Sequence, residues 1–283
     1  MSVRIVTDST ADIPPEQASS AGITVVPLTV FFGDEAYLDG VELDNAGFYR
    51  KLEASKVLPR TSQPSPAAFQ QAYLRLIEEG ADAILSVHLS AKLSGTYQSA
   101  CTARDTLPED ARKIPIDIVD SQTISIGMSH AILLAAQEAK SGLAIQEIKV
   151  HLLNVLSRSK ILAVLDTLEY VKRGGRIGGA RALLGNMLSV KPIISLKGGE
   201  VVPVEQPRTR GKAYVRMAQL VAEMGKLEYV SIAQSTEETG EQLAEALKAT
   251  YSGPIARFKL GAVLGTHTGP GTAAVATVVE SNH

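Results

Sequence analysis

Short apolar runs alternate with amphipathic stretches along the first half of the chain. Runs of four to six mostly apolar residues are typical of strands that are buried on both faces. The stretches between them repeat their apolar residues at helical spacing, which predicts a parallel sheet covered by helices on both faces. Strands are predicted at 3–7, 83–88 and 116–119, and helices at 66–79, 96–104 and 128–139.

The second half follows a different pattern. An apolar stripe at helical spacing over 145–156 ends at the polar Ser157-Arg158-Ser159. Two β-rich runs then flank Lys197-Gly198-Gly199-Glu200, which is a hairpin signal and predicts a mixed or antiparallel sheet. We therefore predict an α/β protein of two domains, a Rossmann-like one at 1–158 and a second at 159–283. In the latter, strands are predicted at 160–165, 229–233, 255–259 and 273–279, and helices at 180–188, 212–224 and 237–249.

Composition narrows the class of function. The formal net charge of −2 gives no general attraction to nucleic acid or to an anionic membrane surface. With five Phe, eight Tyr and no Trp, the chain offers few platforms on which bases could stack. A single cysteine fits a reducing compartment, and no signal peptide or long apolar run is visible. We expect a cytoplasmic protein without a membrane span, which leaves a transient membrane contact open.

Three short turns rich in hydroxyl groups and glycine are the candidate functional segments. They are Thr61–Ser65, Leu93–Thr96 and Thr266–Gly271, and the first two run into predicted helices. The free N–H groups of a first helical turn favour negative charge. Thr61, Ser62 and Ser94 are also ordinary helix caps, and a cap leaves other N–H groups for a ligand. The turns therefore indicate a site for a carboxylate or a phosphate.

Two acidic and glycine-rich segments admit other interpretations. Asp8–Asp12 could be a metal or phosphotransfer loop. Capping of the following helix by its hydroxyl and carboxylate side chains requires fewer assumptions and is the favoured interpretation. Gly174–Gly179 matches neither a dinucleotide fingerprint nor a P-loop, and the histidine spacing gives no zinc pattern. Arg173 and Arg176 on that turn suit an acidic partner or simply a solvated surface.

A hydrolase is the main alternative function. Ser94, His267 and Asp8 could form a catalytic triad, but no G-x-S-x-G elbow is present. A role for His267 as a hydrogen-bond donor to an anion requires less special geometry than a catalytic triad does. A purely structural role for this histidine is the other interpretation. A serine hydrolase or acyltransferase that uses Ser94 and His267 is therefore kept as the alternative.

At these motifs the chain resembles the DegV family, the fatty-acid-binding proteins that include the lipid-presenting subunit of bacterial fatty acid kinase. The matching motifs occur in family order and cover essentially the whole chain. They are VRIVTDSTADIP at 3–14, VVPLTV at 25–30, RTSQPSP at 60–66, LSGTYQSA at 93–100, IVDSQTISIGM at 118–128, KRGGRIGG at 172–179, KPIISLKGGEV at 191–201 and GTHTGPG at 265–271.

The resemblance implies a non-catalytic lipid carrier. A long-chain, palmitate-like fatty acid would lie in a tunnel mostly in the second domain, with no cofactor or metal. Its carboxylate would meet Thr61 and Ser94, with Ser62, Gly95 and His267 in the polar shell around it. A separate kinase would phosphorylate that carboxylate, and the contacts to the kinase are expected from Arg176, Arg208 and Arg210.

Elementary energetics agree with this expectation. About 14 buried methylenes at ~0.8 kcal/mol each give roughly 11 kcal/mol before the costs of association. A carboxylate entering such a cavity without hydrogen-bond partners would lose several kcal/mol. Two hydroxyl groups and free N–H groups can hold the carboxylate and still leave it open to a second reactant.

Overall fold

The computed structural model describes residues 2–186 and 190–281 of the 283-residue chain. The strands, in chain order, are β1 Val3–Asp8, β2 Ile23–Val26, β3 Thr29–Phe32, β4 Glu35–Leu38, β5 Arg60–Ser62, β6 Ala83–His88, β7 Ile116–Asp120, β8 Ser159–Val164, β9 Ile193–Lys197, β10 Glu200–Glu205, β11 Leu227–Gln234, β12 Ala256–Lys259 and β13 Ala273–Val279. The helices are α1 Pro15–Ala21, α2 Asn45–Ala54, α3 Pro66–Glu78, α4 Thr96–Asp105, α5 Ile126–Lys140, α6 Ile145–Arg158, α7 Glu169–Arg173, α8 Arg210–Ala222, α9 Glu237–Lys248 and α10 Ala262–Thr268, with 3₁₀ turns at Ser9–Ala11, Ala111–Lys113 and Gly178–Asn186.

The N-terminal half contains the predicted parallel sheet. Its order is β2-β1-β6-β7, and every pairing is parallel, with Ile5 of β1 between Ile23 and Leu85. Ile5 packs toward α5 and α6, whereas its neighbour Val6 packs toward Phe69 of α3 on the opposite face. Both faces are therefore covered, which explains why the residues of these strands are mostly apolar.

The C-terminal half contains a mixed sheet, as the hairpin signal predicted. Its order is β10-β9-β8-β13-β11-β12, with antiparallel pairings except for the parallel pair β11–β12. The β9–β10 turn places Gly198 and Gly199 at φ of 55° and 83°, a left-handed conformation that glycine adopts without strain. Parallel and mixed sheets together confirm the α/β fold class.

Alternation along the central strands sets the two faces of this sheet. Leu162 and Val275 point to the helices α8 and α9, whereas Ile161, Ala163 and Ala274 point to the opposite face. Helices α8 and α9 do not cover that opposite face, and the side chains of Ala163 and Ala274 on it are small. It forms one wall of a cavity between the two halves of the chain.

A third sheet, β4-β3-β5, and the helix α10 were not predicted. Pro27 lies between β2 and β3, where the chain leaves the parallel sheet, so that β2 forms the edge of that sheet and β3 joins β4 and β5. Thr61 and Ser62 lie in β5, not in a turn, and His267 lies in α10, not in a glycine-rich turn. The turn prediction was wrong at these three residues.

Two predicted boundaries have different outcomes. The helix predicted at 180–188 is a 3₁₀ helix over Gly178–Asn186, and its last two predicted residues lie outside the described part of the chain. At the predicted domain boundary, α6 ends at Arg158 and β8 begins at Ser159. The division into domains at residue 158 stays a prediction.

Within the described residues, no helix combines the length and the apolar character needed to cross a membrane.

Candidate functional site

A cavity lies between the C-terminal sheet, α10 and loops of the N-terminal half, and its empty space is about 970 Å³ when the open mouth is included. Most of the lining is aliphatic. The apolar lining residues are Leu28, Leu89, Leu93, Ile124, Ile161, Ala163, Val171, Ile194, Leu196, Val201, Leu260, Val263, Leu264 and Ala274.

Three of the residues that were predicted to surround the carboxylate lie in the lining of this one cavity. Thr61, Ser94 and His267 come from β5, from the loop before α4 and from α10, and we refer to them as the polar end. The Thr61 hydroxyl oxygen lies 2.8 Å from His267 Nε2. Gln63 and Arg176 line the cavity at the same place and are exposed to solvent. Ser125, Ser195, Thr268 and Thr272 also line the cavity, but each donates its hydroxyl hydrogen to a protein acceptor. The lining is therefore mostly aliphatic, and Thr61, Ser94 and His267 group together at one place in it.

Ser94 is held by the start of α4. Gly95 is the N-cap residue, and the backbone N–H of Thr96 donates to the Ser94 hydroxyl at 3.3 Å. The Ser94 and Thr96 hydroxyl groups are 2.9 Å apart. A Cβ on Gly95 would lie 2.8 Å from the amide nitrogen of Gln63, so the end of the Gln63 side chain packs directly against Gly95.

His267 is uncharged at neutral pH. Burial, together with the positive charge of Arg176, lowers the pKa of its ring from 6.5 to about 4. Its Nδ1 atom is buried without a hydrogen-bond partner among the described residues and faces Gly174, which has no Cβ to obstruct the ring. We assign the proton to Nε2, because an unpaired buried acceptor is tolerated better than an unpaired N–H. Nε2–H then donates to Thr61, and the Thr61 hydroxyl hydrogen is free for a ligand.

The other predicted carboxylate contacts lie beside the cavity. Ser62 is not in the lining, since neighbouring residues of a strand face opposite sides. Gly95 contributes its position at the start of α4 and likewise does not line the cavity. The roles of all five residues in ligand binding stay predictions.

The triad of the hydrolase alternative, Ser94, His267 and Asp8, does not form in the structure, because the Asp8 carboxylate bonds to other groups. Its Oδ2 atom lies 2.9 Å from His88 Nδ1, and His88 Nε2 lies 2.7 Å from the Ser86 hydroxyl. Ser86, His88 and Asp8 are bonded to one another in the order of a catalytic triad. All three are completely buried, on the central strands β1 and β6 of the parallel sheet. No substrate reaches this serine. Ser94 and His267, meanwhile, each bond to a threonine.

The acidic turn Asp8–Asp12 is a capping structure. Asp8 accepts from the backbone N–H of Thr10 at 3.0 Å, which caps the 3₁₀ turn. Asp12 accepts from the N–H of Gly261 at 2.9 Å, directly before α10. Among the described residues, no group of three His, Cys, Asp or Glu side chains is arranged to hold a metal ion.

The comparison with protein families agrees with this arrangement. The model of an uncharacterised protein family, the DegV family, matches residues 2–280. The chain belongs to the DegV family. A DegV domain-containing protein of Halalkalibacterium halodurans is 37% identical over 283 residues, covering 98% of this chain and 99% of the relative. Protein DegV of Bacillus subtilis is 34% identical over 279 residues, covering 96% and 97%.

Solved structures of DegV proteins have the same fold. A fatty-acid-binding DegV protein of Thermus thermophilus matches with a TM-score of 0.87 and 32% identity, covering 99% of this chain and 100% of that one. DegV of Bacillus subtilis, described as a fatty acid binding protein, matches with a TM-score of 0.86 and 32% identity over 99% and 100% of the chains. A stearic-acid-binding protein of Eubacterium ventriosum matches with a TM-score of 0.90 and 25% identity, covering 98% of each.

The three arginines that the DegV resemblance linked to a kinase have different environments. Arg176 is exposed and lines the cavity. Arg208 is exposed, away from the lining. Arg210 is half-buried and lies 2.7 Å from both carboxylate oxygens of Asp166, so its charge is already paired. None of these contacts with a kinase is tested by the structure.

Sequence reasoning missed Gln63 and most of the aliphatic lining. Gln63 lies within the TSQPS motif, but its uncharged side chain was not predicted to contact the carboxylate. The aliphatic lining comes from strands and loops far apart in the chain. One local signal was available, because the alternation in β8 and β13 places small alanines on the face away from α8 and α9.

Proposed function

We propose that this DegV-family protein binds a long-chain fatty acid in the cavity, with the carboxylate at Thr61, Ser94 and His267. The protein is a carrier in this proposal, and a separate kinase phosphorylates the exposed carboxylate to an acyl phosphate. Fatty acid binding is described for several DegV proteins of the same fold, including one with stearic acid and one with vaccenic acid.

One observation carries the proposal: an aliphatic cavity ends in neutral hydrogen-bond donors beside the surface. The Thr61 hydroxyl, backed by His267 Nε2 at 2.8 Å, and the Ser94 hydroxyl lie in the lining of the same cavity. An alkyl chain gains about 0.8 kcal/mol for each buried methylene. A carboxylate at the other end requires donors, since burial without them costs several kcal/mol.

The positions of the exposed residues support presentation rather than sequestration. Gln63 and Arg176, both exposed, lie beside Thr61 and Ser94, so the carboxylate is at the accessible end of the cavity. The donors at the polar end are uncharged, because the pKa of His267 is lowered to about 4. Uncharged donors hold the carboxylate without neutralising it, and the oxygen stays available to attack a phosphoryl group.

Two experiments test binding and presentation separately. Native mass spectrometry of the protein purified without added lipid should show an added mass equal to a fatty acid, which delipidation removes. A spectrum containing only the polypeptide mass, with no saturable titration by palmitate, would reject fatty acid binding. For presentation, the loaded protein is mixed with a fatty acid kinase catalytic subunit and ATP, and acyl phosphate is trapped with hydroxylamine. A kinase that phosphorylates free fatty acid equally well would reject presentation.

A further inference from the structure

Arg176 joins the two sides of the cavity opening. Its Nε atom donates to the backbone carbonyl of Leu93 at 3.0 Å, and Nη1 donates to the carbonyl of Gly174 at 2.5 Å. Leu93 directly precedes Ser94 in the N-terminal half. Gly174 lies against the ring of His267 in the C-terminal half. Arg176 and Gly174 belong to the same turn, so one guanidinium connects this turn, which lies against His267, to the backbone directly before Ser94.

The loop 89–95, which we call the Ser94 loop, has a second attachment at its start. The Ser90 hydroxyl is buried and donates to the carbonyl of Gly199 at 2.8 Å, at the tip of the β9–β10 hairpin. Lys92 and Glu200 form an exposed ion pair at 3.1 Å beside it. The start of the loop is thus held by a buried bond, whereas its end, at Leu93 and Ser94, is held across the opening by Arg176.

These two attachments differ in how easily they open. The Ser90–Gly199 bond is enclosed, and a Cβ on Gly199 would overlap the Ser90 hydroxyl, so the packing there is tight. The Arg176 side chain is exposed and forms charge-assisted bonds that water can replace. Arg176 is also the only side chain with a formal positive charge in the lining that the structure describes.

We propose that Arg176 is a positioning residue that holds the Ser94 loop against the Gly174 turn and thereby sets the rate at which the ligand leaves. This inference rests on the proposed function for the identity of the ligand. Release of the guanidinium from Leu93 frees the end of the loop, so that Ser94 and the aliphatic side chain of Leu93 move away from the ligand. The role expected from the family resemblance, contact with a kinase, is a separate one.

The first measurement is the dissociation rate of a fluorescent polyene fatty acid, cis-parinaric acid, into excess albumin by stopped flow. Arg176→Gln keeps a polar side chain but cannot reach both carbonyls, and we expect dissociation on the order of tenfold faster. Arg176→Lys, with one point donor, should lie between it and the wild type. The matched control is Arg173→Gln on the same turn, whose side chain pairs with Glu169 and is absent from the lining. Equal rates in Arg176→Gln and wild type would overturn the proposal.

A direct bond between Arg176 and the carboxylate is excluded by a second ligand. The alcohol made by reducing cis-parinaric acid has the same chain and no charge. A positioning role speeds the dissociation of both acid and alcohol, because Leu93 packs on the chain of each, whereas an ion pair affects the acid alone. Acceleration confined to the acid would therefore overturn the positioning role.

Hydrogen exchange of the ligand-free protein separates this inference from the proposed function. Arg176→Gln should increase amide exchange across 89–95, while Arg173→Gln should leave it unchanged. If the wild type bound no fatty acid but exchange rose in Arg176→Gln, the proposed function would fail while the contact stood. Unchanged exchange across 89–95 in Arg176→Gln would reject the contact itself, whatever the ligand.

Discussion

Thr61 Oγ1 and His267 Nε2 lie 2.8 Å apart, although 206 positions separate the two residues along the chain. Thr61 belongs to a short strand of the N-terminal half and His267 to a short helix of the C-terminal half. The polar end of the cavity therefore exists only when both halves are folded and in contact. Three further predictions concern these residues and their neighbours, and a fourth concerns Asp12.

Removal of the hydroxyl groups should weaken fatty acid binding without unfolding the protein. Thr61→Val is expected to lower the affinity for palmitate about tenfold, since one hydrogen bond to a charged group contributes ~1.5 kcal/mol or more. Adding Ser94→Ala should lower it further. Isothermal titration measures both, with Ser62→Ala as the matched control on the same strand. Wild-type affinity in the double variant would reject the assigned carboxylate position.

Acid should destabilise the protein through His267. The folded pKa of about 4 lies below the unfolded value of 6.5, so the unfolded chain takes up this proton first. The contribution of neutral His267 to stability is present above pH 6.5 and is lost as the pH falls toward 4. We expect a loss of about 1–2 kcal/mol over this window that is missing in His267→Gln. Urea unfolding at several pH values tests this, and identical pH profiles would contradict it.

Asp12 should show the opposite dependence. Burial foremost, with the charges of Asp39 and Asp8, raises the pKa of Asp12 from 3.8 to about 8. Folded Asp12 thus keeps a proton that the unfolded chain has lost, and its contribution to stability disappears as the pH rises from about 4 to 8. Burial also raises the pKa of Asp39, to about 6, which adds in the same direction.

Asp12→Asn isolates this effect. The backbone of Asp12 has a φ of 52°, which asparagine adopts readily, and the amide can still accept from Gly261 and donate to Ser125. Between pH 4 and 8 the unfolding free energy of the wild type should fall by about 1–3 kcal/mol relative to the variant. A constant difference between the two proteins across this range would show that Asp12 does not titrate there.

Gly174 should be required for the position of His267. The backbone of Gly174 has an ordinary φ of −69°, so alanine is not strained there, but its Cβ would overlap His267 Nδ1. Gly174→Ala is expected to reduce fatty acid affinity about tenfold. In a His267→Ala background the same change should have little effect, because the obstructed ring is gone. Gly211→Ala, on an open helical surface, is the control. Equal losses in both backgrounds would contradict steric positioning.

Several parts of the fold were predictable because their causes are local. Helix α3 begins where Ser65 caps it and Pro66 occupies its first turn, and both residues act within a few positions. Strand β6 is fully buried along its length, which agrees with the mostly apolar segment 83–88 that predicted it. The hairpin at Gly198 and Gly199 likewise depends on the conformations that those two residues adopt.

Other elements have distant causes and gave no local signal. Strand β5 is short and polar, and it exists because it pairs with β3, with Val30 opposite Thr61. Helix α10 contains glycine and threonine, which are weak helix formers. Its first N–H groups are satisfied by Asp39, 223 positions away, and by Asp12. The triad of Ser94, His267 and Asp8, kept only as part of the hydrolase alternative, does not form for the same reason, since Asp8 bonds to His88 on the neighbouring strand β6.

The sequence by itself determined the α/β fold class, the parallel and mixed sheets and the three segments that supply the polar end, because periodicity, caps and turn residues act over short distances. The tertiary structure alone decided which hydroxyl faces the cavity, which histidine remains neutral, and where Arg176 bonds. Those properties depend on burial and on contacts between residues far apart in the chain, and neither is set until the two halves pack together.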